Sequence, residues 1–137
     1  MRSAIAISAI FLLPALVVAQ RTPGHDKSEV GAELMTSSDG IDFKPYLNEV
    51  ASKVRARWFE VWPSAANAGP ERRVVIEAGV DRDGTVVKLV IATASGLQPL
   101  DRAAVAAISA VLPLAPIPSD FRSDRVSVKF TFVYGAE

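Results

Sequence analysis

The sequence contains no cysteine, and its single histidine, His25, lies near the N-terminus. The lack of cysteine excludes disulfides, thiolate catalysis and cysteine-ligated zinc. One histidine beside one carboxylate, Asp26, does not complete a metal coordination shell or a Ser-His-Asp triad in the core. We therefore predict that the protein is not an enzyme and uses no metal and no cofactor.

An excess of charge of either sign is also missing. The 137 residues include 15 Lys and Arg and 15 Asp and Glu, so the formal net charge is zero. There is no whole-protein field to attract nucleic acid or an acidic lipid surface, and we expect no nucleic-acid partner. What the chain does have is a hydrophobic content of 50%, which is enough to build the core of one domain.

An export signal is predicted over residues 1–19. Arg2 precedes a sixteen-residue uncharged run, and small residues favour cleavage between Ala19 and Gln20. The alternative is an uncleaved membrane anchor, but the run would extend only about 24 Å as a helix and is interrupted by a proline. Residues 20–41 then mix glycine, serine, threonine and charge, which predicts a flexible linker.

The domain predicted over residues 42–137 begins with a helix over residues 42–62. Asp42 can cap its start, and Pro45 is compatible with the first helical turn. Large apolar residues recur in steps of three and four, which makes one apolar stripe. These residues are Phe43, Tyr46, Leu47, Val50, Val54, Trp58, Val61 and Trp62.

Two strands joined by a turn follow the helix. Residues 72–80 alternate between apolar and mixed faces, and residues 86–91 are again β-branched and apolar. The D-R-D-G sequence at residues 81–84 is typical of a hairpin turn. It also resembles the start of a calcium loop, but no further acidic ligand follows, so the hairpin is favoured.

A second helix is predicted from about Pro99, with Asp101 in its first turn. The proline-rich segment at residues 112–118 cannot continue that helix, because each proline removes a hydrogen-bond donor. We interpret it as an extended strap over the core. The alternative is a polyproline ligand for another domain.

Residues 125–134 show the strictest alternation in the chain and predict the third strand. The order helix, strand, strand, helix, strand predicts an α+β fold: a small three-stranded antiparallel sheet with two helices packed on one face. The last strand would then lie at an edge, with free backbone groups that favour binding by strand addition. The predicted partner-binding residues are Arg125, Ser127, Lys129, Thr131 and Val133.

Several short motifs occur along this domain in a fixed order. They are Tyr46-Leu47 with Trp58, D-R-D-G-T-V at 81–86, S-G at 95–96, L-D-R-A-A at 100–104, L-A-P-I-P at 114–118 and V-K-F-T-F at 128–132. Together they resemble the C-terminal domain of the TonB energy-transducer family and, more loosely, the end domain of TolA. The resemblance extends over about residues 46–134.

The resemblance implies an envelope adaptor that couples inner-membrane energy to outer-membrane transporters. Such a domain grips a transporter's N-terminal peptide by pairing at its last strand, which is residues 125–134 here. The sequence lacks a long proline-rich spacer, so it resembles the binding end of a transducer released into the periplasm. We predict a periplasmic module that binds an envelope protein or transporter peptide and no small-molecule substrate. The alternative location is the inner membrane, facing the periplasm.

Two other functions are consistent with parts of the sequence. A self-associating structural module of the cell envelope would pair the same edge with a second copy and form a homodimer. An enzyme would have to take its nucleophile and base from Ser95, Asp81, Asp83 and Asp101, and each of these residues has a turn or cap explanation.

Overall fold

The computed structural model describes residues 27–67 and 69–135, and within them it has the predicted α+β class. The order of elements is strand, helix, short 3-10 helix, hairpin, helix, strand. The elements are β1 (Glu29–Leu34), α1 (Lys44–Glu60), the 3-10 helix (Ser64–Asn67), β2 (Arg72–Asp81), β3 (Val86–Thr93), α2 (Gln98–Ser109) and β4 (Arg125–Tyr134).

The described residues form one sheet of four strands, in the order β1-β4-β2-β3, and every neighbouring pair is antiparallel. The prediction of three strands is therefore wrong by one strand. The hairpin of β2 and β3 is as predicted, and β2 lies between β3 and β4. The buried side chains of β2 and β4 alternate, which places the helices against one face of the sheet and leaves the other face open.

The extra strand, β1, lies inside the segment predicted as a flexible linker. Its sequence, E-V-G-A-E-L, has a central glycine and small residues, so its own strand propensity is weak. It forms because β4 offers a ladder of backbone groups, and because Val30, Ala32 and Leu34 pack against the core. This strand therefore depends on tertiary pairing that local sequence does not reveal.

The first helix buries most of the predicted apolar stripe, whereas Val61, just after its last residue, is exposed. Tyr46, Val50, Val54 and Trp58 recur every fourth residue and are all buried. Pro45 stands in the first turn, where its missing N–H needs no helical partner. Asp42 does not cap the helix as predicted: it precedes the N-cap residue, and its carboxylate accepts a hydrogen bond from the backbone N–H of Lys44 at 3.0 Å.

The second helix lies close to the sheet because its buried face is made mostly of small side chains. Ala103, Ala104 and Ala107 are buried between Leu100 and Ile108. The core beneath both helices is formed by alternate residues of the two central strands. These are Val74, Ile76, Ala78 and Val80 of β2, and Val126, Val128, Phe130, Phe132 and Tyr134 of β4.

A chain of buried hydrogen bonds joins both helices to the end of β4. The indole N–H of Trp58 donates to the hydroxyl of Tyr134 at 2.8 Å, and that hydroxyl donates to the backbone oxygen of Leu100 at 2.8 Å. Burial raises the pKa of Tyr134 to about 12. The tyrosine thus satisfies one polar group from each helix inside the core.

Three predictions fall outside the described residues: the export signal at residues 1–19, its cleavage site, and His25. Among the residues that the structure does describe, no helix combines the length and the apolar character needed to cross a membrane.

Candidate protein-binding site

The hairpin turn is built by the D-R-D-G sequence, as predicted. The N–H of Gly84 donates to the backbone oxygen of Asp81 at 2.9 Å, and the N–H of Thr85 donates to the Asp83 carboxylate at 3.0 Å. The hydrogen bonds from Thr85 lower the pKa of Asp83. Gly84 has a φ of +92°, and a Cβ there would overlap the carbonyl oxygen of Leu114, so both conformation and space require glycine.

The proline-rich strap packs against this turn. The N–H of Leu114 donates to the oxygen of Gly84 at 2.9 Å, and the N–H of Ile117 donates to the oxygen of Arg82 at 3.0 Å. The Arg82 guanidinium donates to the backbone oxygens of Phe121 and Ser123. Leu114 and Ile117 are buried. The strap is therefore part of the core covering, and this favours packing over the polyproline-ligand alternative.

The five residues predicted to bind a partner lie together on the open face of the sheet. Arg125, Ser127, Lys129, Thr131 and Val133 alternate with the buried residues of β4. They do not lie at a free edge, because β4 pairs with β1 on one side and with β2 on the other. The prediction that the last strand is an unpaired edge is wrong, and the reason is that β1 occupies that edge.

The two basic residues of this set already have acidic neighbours. The Lys129 ammonium lies 3.3 Å from a carboxylate oxygen of Glu33 on β1, and Glu77 of β2 is its register partner on the other side. The Arg125 guanidinium lies 2.9 Å from the carboxylate of Asp81. The open face is thus a surface of paired charges and carries no single-sign patch around these residues.

The contact between β1 and β4 has the form of a bound strand. Six successive residues pair in register, from Glu29 opposite Val133 to Leu34 opposite Val128. Beyond the ends, the N–H of Met35 donates to the oxygen of Ser127 at 2.7 Å, and the N–H of Gly135 donates to the hydroxyl of Ser28 at 2.8 Å. The edge of β4 is therefore able to accept an extended segment along its length.

The two outer strands of the described sheet are β1 and β3. On β3, Val87, Val90 and Ile91 are large apolar residues that remain exposed. A groove runs beside this strand, between Ile91 and the residues Gln98, Asp101, Arg102, Val105 and Ala106 of α2. β3 carries a single charged residue, Lys88, so this edge has little protection against pairing with another strand.

The four residues considered for catalysis each have a structural partner. Asp101 accepts a hydrogen bond from the backbone N–H of Ser95 at 2.9 Å, while the Ser95 hydroxyl is engaged with the backbone of Leu97. Asp81 pairs with Arg125, and Asp83 accepts from Thr85. Within residues 27–67 and 69–135, no group of three or more histidines and carboxylates is placed to hold a metal ion.

The fold and the β1–β4 pairing define a small α+β domain whose surfaces are suited to contact with another polypeptide. Residues 43–132 match the family described as TonB C terminal, and the chain belongs to that family. Neither the curated proteins nor the solved structures compared with the chain give a match. TonB C-terminal domains are non-enzymatic interaction modules of the cell envelope that face the periplasm and bind outer-membrane transporters or other envelope proteins. The match begins after β1, so the strand that covers β4 lies outside it.

Proposed function

We propose that this protein is a periplasmic module that captures an extended segment of an outer-membrane transporter or another envelope protein by strand addition at β4. The observation that carries the proposal is that β4 already pairs with a six-residue strand along its outer edge. Backbone hydrogen bonds to that edge would supply affinity without demanding one sequence. A role in energy-coupled transport across the envelope follows if the captured segment belongs to a transporter.

The residues of β4 have separate roles in this proposal. The buried set, including Phe130 and Phe132, keeps the strand fixed in the core. The set on the open face, Arg125, Ser127, Lys129, Thr131 and Val133, contacts the outward side chains of the partner segment. Cross-strand pairs on one face of a sheet contribute about 0.2–1 kcal/mol each, so these contacts tune selectivity more than total affinity.

The location is proposed on the same basis. The leader at residues 1–19 would carry the chain through the inner membrane, and cleavage after Ala19 would release it into the periplasm. The mass of the exported protein tests this step, since a mass that still includes residues 1–19 would indicate a membrane-anchored form instead.

Capture at β4 is tested by titrating the exported protein with short peptides from the N-terminal segments of outer-membrane transporters of the same organism. We expect at least one peptide to bind and to shift the amide resonances of β4 in nuclear magnetic resonance spectra. Shifts confined to β3 would place the site at the other edge and contradict the proposal. A proline in β4 is unsuitable as a test, because this strand is paired on both sides and would lose its own sheet bonds.

A second candidate function, self-association as a structural module, is favoured by the free edge of β3. Exposed Val87 and Val90 on an outer strand are a feature that promotes pairing with another copy. Sedimentation over a range of concentrations tests it. A species that stays monomeric throughout would eliminate this function and leave peptide capture standing.

A further inference from the structure

We infer that β1 is an internal stand-in for the partner: it holds the β4 edge until a segment of matching chemistry displaces it. This inference rests on the proposed capture at β4 and adds how that site is regulated and what it selects. The matching segment is extended, has small or apolar residues at alternate positions, and carries a carboxylate that reaches Lys129.

Both edges of β4 are already paired, one with β1 and the other with β2. Its other edge is paired with β2 over ten residues, from Arg72 opposite Tyr134 to Asp81 opposite Arg125. The β2–β4 pair lies in the middle of the core, and separating it would expose Phe130 and Phe132. A peptide that adds to β4 must therefore take the place of β1, which is the shorter and outer neighbour.

β1 is also held more weakly than the other strands of the sheet. None of its six residues is fully buried, whereas β2 and β4 each bury every second residue. Its central residue, Gly31, makes no side-chain contact, and even an added Cβ would meet nothing within 4 Å. Glycine in a strand interior also weakens the strand because it adds backbone entropy to the unpaired state.

The contacts of β1 with β4 indicate what residues a displacing segment needs. Val30, Ala32 and Leu34 stand opposite Phe132, Phe130 and Val128, on the face toward the helices. A displacing segment therefore needs apolar residues at alternate positions, and the residue opposite Phe130 has to be small. On the open face, Gly31 stands opposite Thr131 and requires little of the partner.

The ion pair between Glu33 and Lys129 indicates the charge that the partner needs at one position. Glu33 is the register partner of Lys129, and the two side chains form an ion pair at 3.3 Å. When β1 leaves, Lys129 keeps Glu77 on one side and loses the carboxylate on the other. A partner with Asp or Glu at the position of Glu33 restores that pair, while a basic residue there would face a like charge.

The test uses a covalent link that can be opened. Gly31 and Thr131 are cross-strand partners on the open face, so their Cα atoms are about 5.5 Å apart, within the range that a disulfide spans. The chain has no cysteine of its own, so a Gly31→Cys/Thr131→Cys variant has only this pair to oxidise. Oxidation fixes β1 on β4, and reduction frees it.

The probe is a labelled peptide with the sequence of residues 27–36, K-S-E-V-G-A-E-L-M-T, added to the full-length exported protein. We expect the reduced variant to bind it and the oxidised variant to bind at least about tenfold more weakly, because the competent fraction of molecules scales the apparent affinity. The Gly31→Cys single variant, treated in the same way, is the control and should show no dependence on oxidation.

A second variant weakens β1 without a crosslink. Val30→Ser with Leu34→Ser removes apolar contact from partly buried positions, and we expect binding of the probe to tighten by about tenfold as the open fraction rises. Val86→Ser with Leu89→Ser makes the same kind of change at partly buried positions of β3 and should leave the affinity unchanged. Circular dichroism confirms that both variants remain folded.

A second peptide tests the need for a carboxylate opposite Lys129. A peptide in which Glu33 is replaced by Lys should bind the weakened variant a few-fold less tightly than the parent peptide. Equal binding of the two peptides would overturn the carboxylate requirement.

The remaining outcomes separate this inference from the function on which it rests. If a transporter peptide binds the weakened variant and the probe does not, β1 is not a stand-in for the partner, yet capture at β4 remains. If the probe and transporter peptides bind the oxidised variant as well as the reduced one, β1 need not leave, and the inference fails. If neither kind of peptide binds any form, the proposed function itself fails.

Discussion

The two outer strands of the sheet differ in how they are protected and in how they are held. β1 has six residues with two glutamates on its open face, and it rests on the core through side chains that are only partly buried. β3 has eight residues, one charge and exposed valines, and its pairing with β2 shifts register twice. The β1 edge therefore carries two charged side chains, whereas the β3 edge carries one and is tied to β2 by the hairpin.

This difference shows that an outer position in a sheet does not determine what a strand does. β3 is joined to β2 by a short turn. If the two strands separated, the turn would hold them close together and the pairing would form again at once. β1 is separated from β4 by most of the chain. A strand that is distant in sequence, short and partly buried is suited to exchange with another segment.

The largest effect is expected at the centre. Phe130→Ala on β4 removes a fully buried ring from the core and should lower the free energy of unfolding by about 3–5 kcal/mol in urea denaturation. Val133→Ala on the same strand faces the open side and is the matched control, with an expected loss of less than about 1 kcal/mol. Equal losses at the two positions would mean that the helices do not cover this face.

A smaller effect is expected where the helices meet the end of β4. Tyr134→Phe leaves the indole N–H of Trp58 and the backbone oxygen of Leu100 without their buried partner. The free energy of unfolding should fall by about 1–3 kcal/mol. Tyr46→Phe is the control. The hydroxyl of Tyr46 donates to the backbone oxygen of Ala115 in the strap at 3.0 Å, and it bonds neither the Trp58 indole nor the Leu100 oxygen.

The same two tyrosines limit the stability of the fold at high pH. Burial raises the pKa of Tyr134 to about 12, and burial with the nearby Glu49 raises that of Tyr46 to about 12, from an ordinary value of 10.0. The unfolded chain loses these protons near pH 10 and the folded chain near pH 12, so stability is present below pH 10 and is lost as the pH rises toward 12. Ultraviolet absorbance of tyrosinate checks this, because the chain has only two tyrosines. A folded protein whose tyrosines ionise near pH 10 would contradict it.

Substitutions on β1 should lower the free energy of unfolding only modestly. Val30→Ala removes two methyl groups from a partly buried side chain, and we expect a loss of less than about 1 kcal/mol in the free energy of unfolding. Val74→Ala makes the same change at a fully buried position of β2 and should cost roughly 2 kcal/mol. A loss at Val30 as large as that at Val74 would show that β1 belongs to the permanent core.

The smallest effect on stability is expected on β3. Val90→Lys replaces an exposed side chain of the open face and should change the free energy of unfolding by no more than about 0.5 kcal/mol. If the protein self-associates through this edge, the added charge should shift it to the monomer in sedimentation experiments. Persistence of the oligomer after this substitution would locate the interface elsewhere.

The elements with a strong local pattern could be predicted from sequence. The four-residue repeat of Tyr46, Val50, Val54 and Trp58 gave the first helix within about two residues at each end, and the turn around Gly84 located the hairpin. The alternation over residues 125–134 gave both the bounds of β4 and its buried face. These features depend on residues that are close together in the chain.

The environment of β4 could not be predicted in this way. Its pairing with β1 joins residues about one hundred positions apart, and β1 has no strong strand pattern of its own. The predicted contact residues were therefore grouped correctly on one face of β4, while the state of the β4 edge was wrong. The only local signal was the alternation of Val30, Ala32 and Leu34 inside a segment otherwise rich in polar residues.

The central place of β4 also sets the order in which the molecule can be made. A chain that emerges with its N-terminus first, from a ribosome or through a translocation channel, has β1, β2 and β3 available long before β4. Two of the three strand pairings in the described sheet need the ten residues of β4. Until they arrive, only the hairpin and isolated helices can form, and contacts between such distant segments are slow to close. Until β4 is present, the preceding segments therefore lack a complete sheet and can still be threaded through a channel.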